Sequence, residues 1–449
     1  MKYVIKIVLF LNLILFFSAN TLFAQEAKKQ AKPNIIFILA DDLGFEALGT
    51  YGAKSYKDLG QAKTPNLDRL AAKGVKFTRC FATPVCSPAR AEFFTGKYNF
   101  KVGFPDIAGR NGSAESLDSK VNPTIAQHLK KVGYTTAVCG KWHIGPPDNK
   151  NLIPSASKPE TEYPHPQECG FDRQSIFSGG HLNDYGQPKA ETYTPAIIHN
   201  WALAFLKEPA RKEAPFFLYY ASPIPHVPHM PTPLNPNGIP DDKSNFPFLI
   251  EFLDGQIGEI MQTLESNGLA ENTILMFSAD NGTASVIRTQ MADGNEIKGG
   301  KASMKDVGSQ VPLLAMWPGK ITKGSICSDL IDFSDLMPTL LKLAGAPIPQ
   351  GIDGVSFAEQ LLGRKGNPRT WIHVHFDNQY FVRSVDYKLR EDHQLYSMKQ
   401  APYNEIHILP ENDNSQSKAA RKDLQIVMNQ LYKGYIPPII LNRKKIKKE

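Results

Sequence analysis

Two stretches far apart in the chain constrain its fold more than any others. Asn34-Ile35-Ile36-Phe37-Ile38-Leu39-Ala40 is a continuous apolar, β-rich run that passes straight into Asp41-Asp42-Leu43-Gly44. Thr273-Ile274-Leu275-Met276-Phe277-Ser278-Ala279 passes in the same way into Asp280-Asn281-Gly282. A strand without polar alternation is buried on both faces, so helices must cover its sheet above and below. The intervening chain supplies them. Helices are expected over 64–74, 124–132, 196–206 and 246–264, with strands over 75–82, 134–139 and 216–221. This alternation predicts an α/β fold: a large mixed, mostly parallel sheet flanked by helices. Such sheets place ligands at the carboxyl ends of their strands. Asp41, Asp42, Asp280 and Asn281 could therefore meet as an all-oxygen site suited to Ca²⁺ or Mg²⁺. Asp-Asp-x-Gly is equally good turn chemistry, and the residues alone leave both readings open.

The pattern changes beyond Gly363. Short strands over 371–375, 380–384, 387–390 and 394–397, followed by a helix over 419–432, predict a smaller antiparallel sheet with a covering helix. The expected division is a main domain over 25–365 and a C-terminal subdomain over 366–449. Residues 1–24 read as a secretory signal: Lys2 and Lys6, an apolar run from Ile7 to Phe17, then Leu22-Phe23-Ala24 as a cleavage site. That run is too short for a comfortable membrane span, and export to a periplasm or to the exterior is expected. The formal charge of +7 comes mostly from this leader and from the basic end Arg443–Glu449. One net positive charge is left for the remainder, which gives no support for nucleic-acid binding. Five cysteines, an odd number in an exported chain, leave at least one unpaired or modified.

Cys86 stands out among them. Ser87 can cap a helix, Pro88 suits its first turn and Gly96 its end. Cys86 would then face free N–H groups and the positive end of the helix dipole, with Arg90 one turn on returning to the same point. Further candidates sit where strands end. Lys141 and His143, in Gly140-Lys141-Trp142-His143, point to one side if the chain stays extended. In Pro225-His226-Val227-Pro228, the flanking prolines restrain His226, with His229 a weaker candidate. Lys301 lies on the Gly-rich loop Gly299-Gly300-Lys301-Ala302-Ser303.

Cys86-x-Pro88-x-Arg90 resembles the core signature of the sulfatase family, and the other motifs follow in the family's order from Asn34 to about Gly363. The resemblance implies the alkaline-phosphatase-like superfold. It also implies oxidation of Cys86 to formylglycine by a maturation enzyme, and a cation, calcium with magnesium as the alternative, on Asp41, Asp42, Asp280 and Asn281. By the same resemblance, hydrated formylglycine attacks sulfur and Arg90, Lys141 and Lys301 neutralise the sulfate. His226, with Lys301, protonates the leaving alcohol, and His143 receives the second proton. Two positions depart from the family pattern. Ala89 stands where a small hydroxyl residue is usual, and Gln310, in Asp306-Val307-Gly308-Ser309-Gln310-Val311-Pro312, stands where arginine is common.

The expected function is hydrolysis of sulfate esters. An exported enzyme meets sulfated carbohydrates directly, and the long segments 98–120 and 145–190 could contact them. The second carries Tyr163, His165, His181, Asn183, Asp184 and Tyr185, residues that hydrogen-bond hydroxyls or stack on sugars. Two alternatives are a phosphonate or phosphate ester hydrolase of the same superfamily and a non-catalytic glycan-binding protein on this scaffold.

Overall fold

The computed structural model describes residues 32–145, 154–160, 163–177, 186–189 and 191–434. The expected leader and the basic end lie outside them. The central sheet runs in the order Ser325–Cys327, Val75–Phe81, Gln310–Met316, Thr273–Ala279, Asn34–Ala40, Phe216–Ala221, Thr135–Lys141, Arg173–Phe177, with Ile331–Asp332 also paired to Val75–Phe81. Asn34–Ala40 is central and pairs in parallel with Thr273–Ala279 and with Phe216–Ala221. Both acid-terminated strands are fully buried along their length, as their composition demands. Among the strands of this sheet only Gln310–Met316 is antiparallel to its neighbours, Val75–Phe81 and Thr273–Ala279. That reversal has a consequence. The loop entering Gln310–Met316, which holds Lys301, arrives at the same sheet edge where the parallel strands end.

The helix Cys86–Thr95 is buried at every residue. Its apolar side stacks on the sheet, with the Phe93 ring centroid 4.4 Å from Phe37 and 5.1 Å from Tyr219. Gly96 ends it at φ 63° in the left-handed region, where glycine has no Cβ penalty. Its start differs from expectation. Cys86 is the first helical residue after an extended Val85, and Ser87 is not the cap. The Ser87 hydroxyl instead donates to the His143 carbonyl at 2.8 Å. The helix Pro65–Lys73 departs similarly: Thr64 makes no side-chain cap. Asp254, on Phe246–Ser266, accepts from the Asn66 and Leu67 amides at 3.1 and 2.8 Å. A carboxylate from another helix does the work the local threonine was expected to do, and no local pattern announces it.

The C-terminal sheet is antiparallel and five-stranded, Ile372–Phe376 through Asn404–Ile408, covered by the helix Ser415–Leu431. Its last strand and the three-stranded sheet Ala53–Tyr56, Arg288–Met291, Glu296–Lys298 were not foreseen. The two bodies share an apolar cluster in which Phe81, Met304 and Leu330 meet Ile372, Val374 and Phe381. A buried ion pair crosses the same contact. Asp306 takes Lys388 Nζ at 2.7 Å and Arg383 at 3.0 Å, and Lys388 also reaches Glu405 at 2.8 Å. Burial opposes the charge on Asp306, but Lys388 and Arg383 outweigh it and hold the carboxyl below its usual range. Gln310, in place of the expected arginine, donates to the Thr78 carbonyl at 2.9 Å. Lys388→Met leaves Asp306 with half its counter-charge, so stability in urea is expected to fall by about 3 kcal/mol. An unchanged unfolding midpoint would contradict this account of the contact.

Candidate active site

The carboxyl edge of the sheet gathers the polar residues singled out in the sequence. Asp41, Asp42, Asp280 and Asn281 are all 0% exposed. The Asp42 amide donates to Asp280 Oδ1 at 3.2 Å, and Asn281 Nδ2 donates to Asp42 Oδ1 at 2.8 Å, so the two strand ends are tied together. Cys86 Sγ lies 3.2 Å from Asp41 Oδ1 and 3.7 Å from Lys141 Nζ. Arg90 Nη2 reaches Asp280 Oδ2 at 2.7 Å, while Nη1 donates to the Lys141 carbonyl at 2.6 Å. Lys141 Nζ pairs with Asp41 Oδ2 at 2.5 Å. Lys301 Nζ pairs with Asp42 Oδ2 at 2.6 Å and lies 3.0 Å from His226 Nε2. Every candidate but His143 and the weaker candidate His229 is thus linked side chain to side chain.

His143 enters differently. The strand ends at Lys141, and His143 turns to φ 55°, so the extended geometry expected to align Lys141 with His143 does not persist. Its carbonyl holds Ser87, and its Nδ1 is buried without a partner. Asp42 and Ala302 also have positive φ, each at 63°. Three non-glycine residues in a sparsely populated backbone region, all within the loops that build one cluster, mark stored strain of the kind found at functional sites. His229 is buried with Nε2 unpartnered and is held by burial at about 4, hence neutral.

The electrostatics follow from packing so many charges in low dielectric. Burial opposes ionisation of Asp41, but Lys141 and then His226 and Arg90 hold it well below its usual range. Asp280 is pushed up by burial and by Asp41. Arg90 and Lys141 are held above their ordinary values, against burial, by Asp280 and by Asp41 respectively. The Cys86 thiol is pushed well up by burial, Asp280 and Asp41. An unmodified thiol here stays protonated and is a poor nucleophile, in contrast to the anion site that the helix start alone suggested. The donor set suits a hard divalent cation. It offers three buried carboxylates and an amide, and Asn281 Oδ1 has no hydrogen-bond partner. Asp41, Asp42, Cys86 and His226 also bring ligating atoms within 4.8 Å of one another.

The sequence missed the support beneath Trp142. Its Nε1–H donates to His165 Nδ1 at 2.8 Å, and His165 Nε2 lies 3.0 Å from the Leu117 carbonyl. Both bonds form together when Nε2 carries the proton. Tyr163 and His165, read as sugar-facing, are instead buried with Trp142. His181, Asn183, Asp184 and Tyr185 lie outside the described residues.

A sulfatase family model matches residues 33–346. The chain belongs to the sulfatase family. It is accordingly a sulfuric ester hydrolase. A second model, for the C-terminal part of N-sulphoglucosamine sulphohydrolase, matches residues 300–434 of this sulfatase. Human arylsulfatase A is 33% identical over 366 residues, covering 75% of this chain and 69% of its own. The ulvan-active sulfatase of Formosa agariphila is 28% identical over 412 residues, covering 88% and 71%. The crystal structure of Ps i-CgsB in complex with k-i-k-neocarrahexaose superposes with a TM-score of 0.73 at 25% identity, covering 91% of this chain and 94% of that one.

Behind Asp42, the turn Phe45–Ala47 buries Glu46, and burial pushes its carboxyl up to about 7, a shift that Thr283 and the backbone only partly offset. A folded-state value above the unfolded one means that the native protein holds an extra proton between about pH 4.5 and 7. Stability is therefore lost as pH rises through that window, by roughly 3 kcal/mol once complete. Glu46→Gln removes this component, so its urea midpoints at pH 5 and pH 8 are expected to lie closer together than those of the wild type. Identical pH dependence in both would refute the assignment.

Proposed function

We propose that this sulfatase hydrolyses sulfate esters of sulfated carbohydrates, using formylglycine made from Cys86 and a divalent cation, Ca²⁺ or Mg²⁺, held by Asp41, Asp42, Asp280 and Asn281. The observation that carries the reading is the convergence of Arg90, Lys141 and Lys301 on the buried carboxylates around Cys86. A sulfate ester is anionic and repels nucleophiles, and these three cations offset its charge and the charge that develops in the transition state. Formylglycine at position 86 would supply the nucleophile, and a cation on Asp41, Asp42, Asp280 and Asn281 would supply Lewis-acid charge.

The chain's own residues handle the protons and the geometry. Arg90, fixed by Asp280 and the Lys141 carbonyl, holds the first turn of the Cys86 helix against the metal-ligand carboxylates. Lys301 lies between Asp42 and His226. Burial and then Lys141 lower His226, keeping it neutral until a proton is passed to it. The Lys301–His226 pair protonates the departing alcohol in this reading. His143, which burial and then Lys141 hold well below its usual range, is the base that accepts the second proton.

The carbohydrate assignment draws on two relatives, one named for ulvan and one crystallised with a neocarrahexaose. Export fits the leader-like residues 1–24. Among the described residues, no helix is long and apolar enough to cross a membrane.

The test is turnover of a panel: sulfated saccharides, their phosphate counterparts, aryl sulfates and steroid sulfates. The reading expects desulfation of at least one saccharide, no comparable turnover of the phosphate series, and loss of about four orders of magnitude or more on Cys86→Ala. Preference for phosphate esters would overturn the sulfate reading. Turnover confined to steroid or aryl sulfates would overturn the carbohydrate reading alone.

A further inference from the structure

The amino ends of the same strands carry polar chemistry that ester hydrolysis does not use. A cavity of about 520 Å³ opens there, lined by Lys32, Asn34, Arg211, Asn267 and Asn272 among others. Arg211 is 7% exposed, and its Nε and Nη1 have no hydrogen-bond partner. Only Nη2 is engaged, with Glu208 Oε2 at 3.3 Å, and Glu208 is shared with Arg173 at 3.2 Å. The guanidinium carbon sits 4.3 Å from the Phe205 ring centroid, so that side is closed by an apolar surface. The side-chain amides of the wall are already committed. Asn34 donates to Thr273 and accepts from the Phe216 amide, Asn272 donates to the Lys32 carbonyl, and Asn267 donates to the Thr263 carbonyl.

An adjoining cavity of about 650 Å³ shares Lys32 and is lined by Trp317, Lys320, Lys342 and Arg364. Trp317 is 5% exposed, and its Nε1–H has no acceptor. Lys342 and Arg364 both pair with Glu359. Each cavity is thus lined by one residue with buried, unpartnered donor atoms, and among the described residues no lining side chain leaves a buried acceptor unpaired. A buried guanidinium with three uncommitted N–H groups, one on Nε and two on Nη1, is costly, and an oxyanion is the group that offsets it best.

We propose that Arg211 anchors an oxyanion at this amino-end cavity, a second anion site distinct from the active site. Seven-residue strands put roughly 23 Å between the two edges, so a small anion bound at one cannot touch the other. Glu213 also lines the cavity, but it is exposed and free to turn to solvent. Two sources share this chemistry. One is free inorganic sulfate or phosphate. The other is a sulfate or carboxylate borne by an oligosaccharide, one of whose sugar hydroxyls accepts from Trp317 in the adjoining cavity.

Crystals of the full chain soaked in low-millimolar sodium selenate test the anchor directly, because the anomalous signal separates this position from the active site. A selenium peak within hydrogen-bond reach of Arg211 Nε or Nη1 is expected, and it should vanish in Arg211→Met. Arg211→Lys serves if Arg211→Met does not fold, since it keeps the charge and removes the guanidinium donors. No peak at Arg211, or a peak unchanged in the variant, overturns the proposal. Calorimetric titration of a sulfated disaccharide into Cys86→Ala protein, with Arg211→Met and Trp317→Phe added singly, then separates the sources. A tenfold or greater loss of a second, non-active-site binding event in both variants assigns the saccharide. Selenate bound at Arg211 with no saccharide event there assigns the free anion.

Discussion

Three carboxylates buried side by side repel one another strongly in low dielectric, and the rest of this site exists to make them tolerable. Asp41, Asp42 and Asp280 sit at the ends of two adjacent parallel strands and cannot separate without breaking the sheet. Arg90 answers Asp280, Lys141 answers Asp41 and Lys301 answers Asp42. Each cation comes from a different element. The need for Arg90 fixes where the Cys86–Thr95 helix lies, and that position delivers Cys86 to the carboxylates. The need for Lys301 fixes the loop entering Gln310–Met316. That loop is braced in turn by Asp306 against Lys388 and Arg383 of the C-terminal sheet. The second sheet is thus mechanically part of the site although it contributes no residue to it.

The same charge balance bears on Cys86. Each buried carboxylate is matched by a cation, and burial, Asp280 and Asp41 push the thiol among them well up. Positive φ at Asp42, His143 and Ala302 shows that the backbone is bent to hold this arrangement. Such strain persists because Thr283 holds the Gly44 amide at 2.9 Å and the Pro84 carbonyl holds the Ala302 amide at 2.9 Å.

Much of this was legible in the sequence because it is carried by local pattern. Unbroken apolar runs dictated strands buried on both faces, and the acids that follow them had to lie at the sheet edge. The Cys86, Lys141, His226 and Lys301 motifs each sit at a strand end or loop that the α/β alternation already located. What escaped depends on partners distant in sequence. Gln310–Met316 was read as a motif rather than as the reversed strand, because its direction is set by neighbours on both sides. Asp254 capping Pro65–Lys73 lies 188 residues from Asn66. The misreading of His165 has the same origin. Tyr163 and His165 sit in a polar, Pro-rich stretch that looks like a solvated loop, yet Trp142 needs an acceptor for its indole N–H and draws His165 inside.

The central claim is that Cys86 is the precursor of the catalytic group rather than the group itself. Its burial among carboxylates, with the thiol held protonated, makes that claim chemically specific. Peptide mass spectrometry of active protein from its natural source measures it most directly. The account predicts that the peptide spanning residue 86 has the mass of the aldehyde, with the thiol sulfur lost. Fully active protein in which residue 86 is unmodified cysteine would contradict it.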